Sequence, residues 1–381
     1  MISPKSPLKK EATFLNRPYT KHEKIVQMPL HSKYAKKIIP LLISLVTGSC
    51  SVLLLFIWGN NRLKQHNDFK RVFPPHFMSK KIVFDLGVNS FYFSGITATG
   101  IFLGNSTVPG YFLRINYALT DTIATRLNFS NNQLYKQTDL ELLIDSPTVY
   151  IFSPQQKSIW RSTKYVTDFI EINTTQLQSI NGFQVLANQN MIIKSFDSIN
   201  KQRILSKLSE TGKLISNYSM IKKGDGIFST NGLLLSQRNS IIYVYNHWNG
   251  ITLLDSALNT IYQKTTIDGI TDPKLEIINL KKEATILLKG STTPVNIHAT
   301  ANNKYLLVHS GRLAKNENRL AFQNSWVIDT YSIANGQYQY SFYIPEYKNF
   351  KPGQFKLTGD ILYVIYDHYL VGYSLFLLQG P

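Results

Sequence analysis

Cysteine is all but absent: Cys50 is the only one in 381 residues. A lone thiol excludes an intrachain disulfide, a Cys-rich zinc site and a CxxC redox pair. The sequence also lacks HExxH, any close pair of histidines, a GxSxG elbow, a Walker loop and a GxGxxG turn. These are the short motifs by which metal, nucleotide and acyl-transfer chemistry announces itself, so no cofactor is expected. Acidic residues are scarce. There are 23 Asp and Glu against 41 Lys and Arg, a formal charge of +18.

That excess raises nucleic acid as a partner, but its placement argues otherwise. Residues 1–80 hold 14 Lys or Arg and 3 Asp or Glu, so most of the excess lies around one apolar segment. Basic residues beside a membrane span set its orientation and contact anionic headgroups. No recognised nucleic-acid motif accompanies the charge, and no nucleic-acid partner is expected.

The apolar segment runs from Ile38 to Trp58 without a charged residue. At about 1.5 Å per residue it reaches roughly 30 Å, the thickness of a hydrocarbon core. Pro40 is expected in its first turn, where a missing N–H costs little. Nine basic residues and two acidic ones precede it, which orients residues 1–37 to the cytoplasm and the rest outward. Arg62, Lys64, Lys70 and Arg71 beyond the span weaken this asymmetry without reversing it. A buried core helix is one competing reading. Another is a lipoprotein signal starting at Met28, in which Thr47-Gly48-Ser49-Cys50 serves as a lipobox and Cys50 is lipidated. Against lipidation, the apolar run continues from Val52 to Ile57 where a mature lipoprotein would turn polar. The lipid bilayer is therefore the first expected partner, through an uncleaved anchor.

Residues 59–80 are polar and then Pro-rich, which reads as an extended tether folded onto the next domain at Phe73 and Phe77. From residue 81 to 381 helical periodicity is slight. Tyr (22) and Phe (21) are abundant, and short β-rich runs are broken by Asn, Gly, Asp and Ser. A loose repeat emerges: a short apolar run, a turn, then a stronger β run. Its matching positions are Ile101, Val149, Ile192, Ile242, Leu306 and Tyr363, at intervals of 48, 43, 50, 64 and 57 residues. A four-stranded propeller blade takes about 40–50 residues, so the longer intervals imply insertions. A second hairpin follows several copies, as at Asn335-Gly336, a dipeptide expected to place both turn residues at positive φ.

The last repeat lacks a fourth strand, whereas Lys81-Ile82-Val83-Phe84-Asp85-Leu86 is a strand without a blade. Pairing the two would close a ring and remove its exposed edges. The expected fold is thus all-β: a six-bladed β-propeller over residues 81–381, closed by an N-terminal strand and preceded by one transmembrane helix over 38–58. Five or seven blades, or paired β-sandwiches, are the alternatives. In this blade pattern the chain resembles the six-bladed β-propeller superfamily, in the manner of TolB-like and NHL-like propellers. Its Asn-, Ile-, Lys- and Tyr-rich composition and its anchor resemble those of membrane-anchored envelope propellers of Bacteroidetes-type bacteria. The resemblance implies a periplasmic domain on the inner membrane, with envelope proteins as partners.

Few residues stand out as chemistry. His309 and His368 end comparable β runs and are candidates to face a central channel, although a strand-end His is more often bonded to backbone. Asp367 and His368, as strand neighbours, are expected on opposite faces. His247 and Trp248 occupy a connection between strands, where a Trp can anchor a partner; packing between blades is the commoner role. Trp160 and Trp326 read as blade packing. Gly224-Asp225-Gly226 reads as a turn rather than a calcium loop. With no catalytic constellation, a binding or scaffold module is the leading expectation. The alternative is a hydrolase or lyase whose site is dispersed over several blades.

Overall fold

The computed structural model describes residues 32–64, 68–75, 77–127, 139–163, 168–237, 239–280, 285–289 and 292–376. The chain divides into two units, Met1–Gln65 and His66–Pro381.

The first unit contributes helix α1 (Ser32–Lys64). Its apolar stretch, Ile38–Ile57, has a mean hydropathy of 2.3 and none of it is buried. By length and composition it can cross a membrane. The helix outruns the expected span at both ends and continues through Gly59. Pro40 therefore lies well inside the helix rather than in its first turn. Three hydroxyls of the stretch are spent on its own backbone. Ser44 Oγ donates to Leu41 O (2.9 Å), Thr47 Oγ1 to Ile43 O (2.8 Å) and Ser51 Oγ to Thr47 O (2.8 Å). Such back-bonding hides polar atoms that hydrocarbon would penalise. Cys50 is an exposed thiol on this unbroken helix.

The second unit is a six-bladed propeller. Strand β1 (Met78–Asp85) leads, followed by the first blade: β2 (Phe91–Thr97), β3 (Gly100–Asn105), β4 (Tyr111–Ile115) and β5 (Thr122–Arg126). The second blade is β6 (Glu141–Asp145), β7 (Thr148–Ser153), β8 (Ser158–Thr163) and β9 (Ile170–Ile172). The third is β10 (Phe183–Val185), β11 (Met191–Asp197), β12 (Gln202–Leu208) and β13 (Leu214–Ser219). The fourth is β14 (Gly232–Gln237), β15 (Ser240–Tyr245), β16 (Gly250–Leu254) and β17 (Thr260–Thr265). An exposed hairpin, β18 (Ile277–Leu280) and β19 (Thr285–Leu288), is inserted next and accounts for the 64-residue interval.

The fifth blade is β20 (Asn296–Ala301), β21 (Tyr305–Ser310), β22 (Ser325–Ser332) and β23 (Tyr338–Pro345). Between β21 and β22 sits the short helix α2 (Arg319–Gln323), capped by the Asn318 side chain, which lengthens the next interval. The sixth blade is β24 (Gln354–Thr358), β25 (Ile361–Tyr366) and β26 (Tyr369–Leu375), completed by β1. β1 runs antiparallel to β26, with Asp85 opposite Tyr369 and Met78 opposite Leu375. The ring is closed by the N-terminal strand, as the unmatched β run implies.

The six repeat positions all fall on second strands, and each is at most 2% exposed. Both faces of such a strand meet a neighbouring blade, so β3 and β7 are buried at every residue and read as unbroken apolar runs. Outer strands have little to cover. β13 and β17 are mostly exposed, and their sequences carry no such signal. Among the described residues six apolar clusters occupy the gaps between successive blades, including the gap between the sixth and first. Each fully buried Leu, Ile or Phe in them contributes roughly 1.5–3 kcal/mol. The Asn335-Gly336 turn differs from expectation. Only Gly336 has positive φ (70°), and Gly336 N–H bonds Ser332 O, so the loop is longer than a two-residue turn.

Blade packing is close where the bulge of β2 meets the second blade. A Cβ on Gly95 would stand 2.1 Å from Ile144 O, a backbone atom that cannot swing aside. Gly95→Ala is expected to cost about 1–3 kcal/mol, the usual penalty of overpacking. A shift in the urea midpoint at unchanged slope would measure it.

Residues 68–77 are part of this unit. Arg71 is 2% exposed. Its guanidinium makes a two-pronged bond to Asp329 (Nε 2.7 Å, Nη2 2.9 Å), pairs with Glu317 and donates to Arg312 O (2.8 Å). Ser341 Oγ and Tyr343 OH donate to the two carboxylates (2.6 and 2.7 Å). Burial alone would lower the Arg71 pKa, but the flanking carboxylates outweigh it and the group is held charged. Phe73 stacks on Tyr343 at 4.9 Å, and Phe77 is buried against Tyr340 and Phe342.

Candidate functional site

The first strand of each blade borders the axis, where one edge of its backbone has no strand to pair with. Side chains of neighbouring blades fill part of that deficit. Leu142 N–H donates to Tyr92 OH (2.7 Å), Leu357 N–H to Thr300 Oγ1 (3.1 Å) and Phe93 N–H to Gln354 Oε1 (3.0 Å). Ser236 Oγ donates to Gln184 Oε1 at 3.2 Å. The inner strands are thereby stitched into one wall around a central cavity of about 850 Å3. That volume suits a small molecule.

The wall is polar and charged. Glu141 comes from the second blade, Lys194 from the third, His298 from the fifth and Lys356 from the sixth. Lys194 lies on a second strand. Its side chain passes over Gly182 on the way to the cavity, the Lys194 Cε lying 3.5 Å from where a Cβ would stand. Its Nζ donates to Gly232 O at 3.1 Å. Burial pushes its pKa down to about 8, helped by Arg203 and opposed by Glu141. Glu141 is exposed to the cavity, yet desolvation raises its pKa, with Asp139 adding and Lys194 opposing. Burial also lowers the pKa of Lys356 and that of His298, the latter with help from Lys356.

Of the four residues singled out in the sequence, His247, Trp248 and His368 lie in connections from second to third strand, and His309 lies near the end of the second strand β21. His247 is half-buried, its pKa lowered by burial, raised by Asp225 and lowered by Arg312. Trp248 is 6% exposed and packs on Tyr245 at 4.2 Å, and its indole N–H donates to Ser229 O (2.8 Å). Its ring is committed to the interior, so it offers a partner little surface. His309 is buried and stacks on Trp326 at 4.1 Å rather than facing the axis. Burial pushes its pKa down to about 3, with His298 and Arg71 adding. It is the inner-strand His298 that lines the cavity.

His368 sits in the turn from β25 to β26 and bonds its neighbour Asp367 (Nδ1 to Oδ2, 2.8 Å). Strand alternation was expected to separate the two. Asp367 instead adopts φ 47°, which breaks the alternation and brings the side chains together. Among the described residues no hydrogen bond, ion pair or ring contact joins His247, His309 and His368. Nor does any group of three or more His, Cys, Asp or Glu there have metal-binding geometry.

Lys194 and Lys356 escaped sequence reasoning although a signal was present. Each is a lysine beside buried apolar residues in a β run, Met191-Ile-Ile-Lys194 and Phe355-Lys356-Leu357, where a charge is out of keeping with its neighbours. The cavity wall supplies cationic donors, side-chain amides and hydroxyls in a fixed frame. That is equipment for recognition; among the described residues no nucleophile is paired with a base there.

No protein-family model matches the sequence, and no curated protein does. Solved structures do match in fold. A member of the DUF4221 family from Bacteroides vulgatus is 10% identical, with a TM-score of 0.50 over 81% of this chain and 98% of that one. Virginiamycin B lyase from Staphylococcus aureus is 14% identical, with a TM-score of 0.46 over 78% and 99%. At such identities only the common propeller fold follows.

Proposed function

We propose that the protein is a membrane-anchored binding module of the bacterial envelope, with α1 crossing the inner membrane, residues 1–37 in the cytoplasm and the propeller in the periplasm. The observation that carries this reading is a wholly exposed, lipid-length helix on a chain whose remaining described residues build a closed ring around a donor-rich cavity. The basic residues before the helix support the orientation. The ring gives envelope proteins a broad, rigid surface held near the bilayer. The enzyme alternative has no comparable support, since the cavity side chains form no recognisable catalytic arrangement.

Affinity capture of the full-length protein from detergent-solubilised membranes tests the reading. The same envelope protein should co-purify repeatedly, and a lone monomer in every preparation would count against it. The mode of attachment has its own test. Cys50→Ser protein is expected to stay quantitatively in the membrane fraction, whereas deletion of residues 38–58 releases it. Loss of the Cys50→Ser protein from that fraction would favour lipidation.

A further inference from the structure

The channel contains two desolvated lysines with unequal surroundings. Lys194 has an acceptor in Gly232 O and an opposing charge in Glu141. Lys356 has neither: among the described residues it makes no hydrogen bond and no ion pair. Its backbone position is fixed. Phe355 and Leu357 on either side are buried in the cluster between the fifth and sixth blades. Strand alternation then turns Lys356 away from that cluster, and its side chain borders the cavity. An ammonium has three N–H donors, and with no protein acceptor those of the partly buried Lys356 are left facing the cavity. Glu141, Asp145 and Asp360 also border the cavity, but none pairs with it. Its charge acts on His298, a second potential donor from the adjoining blade.

We propose that the central channel binds a small organic molecule through an oxyanion, a carboxylate or a phosphate, seated on the Lys356 ammonium. This inference deepens the binding-module reading and rests on it. The ligand supplies the acceptor that the protein withholds. Lys194 and Glu141, from the third and second blades, offer hydrogen bonds to the rest of the molecule. The lowered pKa of Lys356 fits this arrangement, because a bound anion would restore the charged form that burial disfavours.

The test uses full-length protein in detergent, titrated with inorganic phosphate and separately with citrate, against sodium chloride of equal ionic strength. At least one probe is expected to raise the melting temperature by about 2 °C or more over chloride. The two arms distinguish phosphate from carboxylate. Lys356→Met should weaken that probe about tenfold or more, as expected for losing a charged hydrogen bond. Lys213→Met, an exposed lysine outside the cavity, should keep the response. In chloride alone, Lys356→Met should melt no lower than the wild type, since it removes a half-buried ammonium that has no protein acceptor. The proposal falls if neither probe exceeds chloride, if Lys356→Met responds like the wild type, or if Lys356→Met melts lower in chloride. Membrane capture with the same variant separates the two ideas. A partner retained without an anion response sinks this inference alone, and an anion response without any partner sinks only the scaffold aspect of the reading.

Discussion

Removal of residues 78–87 is expected to leave no cooperatively folded propeller at 25 °C. The deletion takes away β1 and Leu86. It exposes the full edge of β26 and strips Ile82, Phe84 and Leu86 from the cluster that joins the sixth blade to the first. At roughly 1.5–3 kcal/mol for each fully buried side chain, that loss is of the order of 5 kcal/mol. The ladder hydrogen bonds to β26 are lost as well, at about 0.5–1.5 kcal/mol each. Set against a total stability of about 5–15 kcal/mol, the ring does not survive. Thermal unfolding followed by circular dichroism would show the sharp transition gone, and an unchanged transition would refute strand closure. The antiparallel register suggests a rescue. Met78 faces Leu375, so moving residues 78–87 behind residue 376 through a short turn restores the same blade as a continuous hairpin. The permuted chain should unfold cooperatively again.

Arg71→Ala is expected to lower stability by about 3–5 kcal/mol, the usual result of taking one partner from a buried ion pair. The substitution leaves the Asp329 and Glu317 carboxylates enclosed with no counter-charge; both side chains are nearly or fully buried. Arg71→Lys should fall between, because a single ammonium cannot reproduce the planar two-pronged contact with Asp329. The combination of Arg71→Met with Asp329→Leu and Glu317→Gln should recover most of the loss, since uncharged groups of similar volume replace the desolvated charges at little net cost. Equilibrium urea unfolding of the four proteins decides the matter. An Arg71→Ala protein within about 1 kcal/mol of the wild type would mean that the clamp is dispensable.

What could be read from the sequence follows from which strands are enclosed. Second strands are covered on both sides, so Ile101, Val149, Ile192, Ile242, Leu306 and Tyr363 sit in apolar runs that stand out even at 43- to 64-residue spacing. The closing strand was legible by subtraction, as one β run more than the blades at the start and one fewer at the end. The three-residue β10 and the exposed β13 were harder, being respectively short and nearly free of burial. The channel was not legible. Its lysines lie on the third and sixth blades, and only the curvature of the ring brings them to one axis. The partners of Arg71 were equally hidden, 258 and 246 residues away in sequence. Local geometry also overruled pattern at Asp367, where one left-handed residue united two side chains that alternation would have parted.

The clamp at Arg71 has a mechanical meaning. A pull arriving along the chain from the N-terminal side meets Arg71 before it meets β1. To unzip the sixth blade it must first shear two carboxylate contacts and the stacked ring of Phe73, all bearing load together rather than one after another. The seam that closes the circle, which would otherwise be the easiest place to tear, is thus shielded from tension by a lock placed upstream of it.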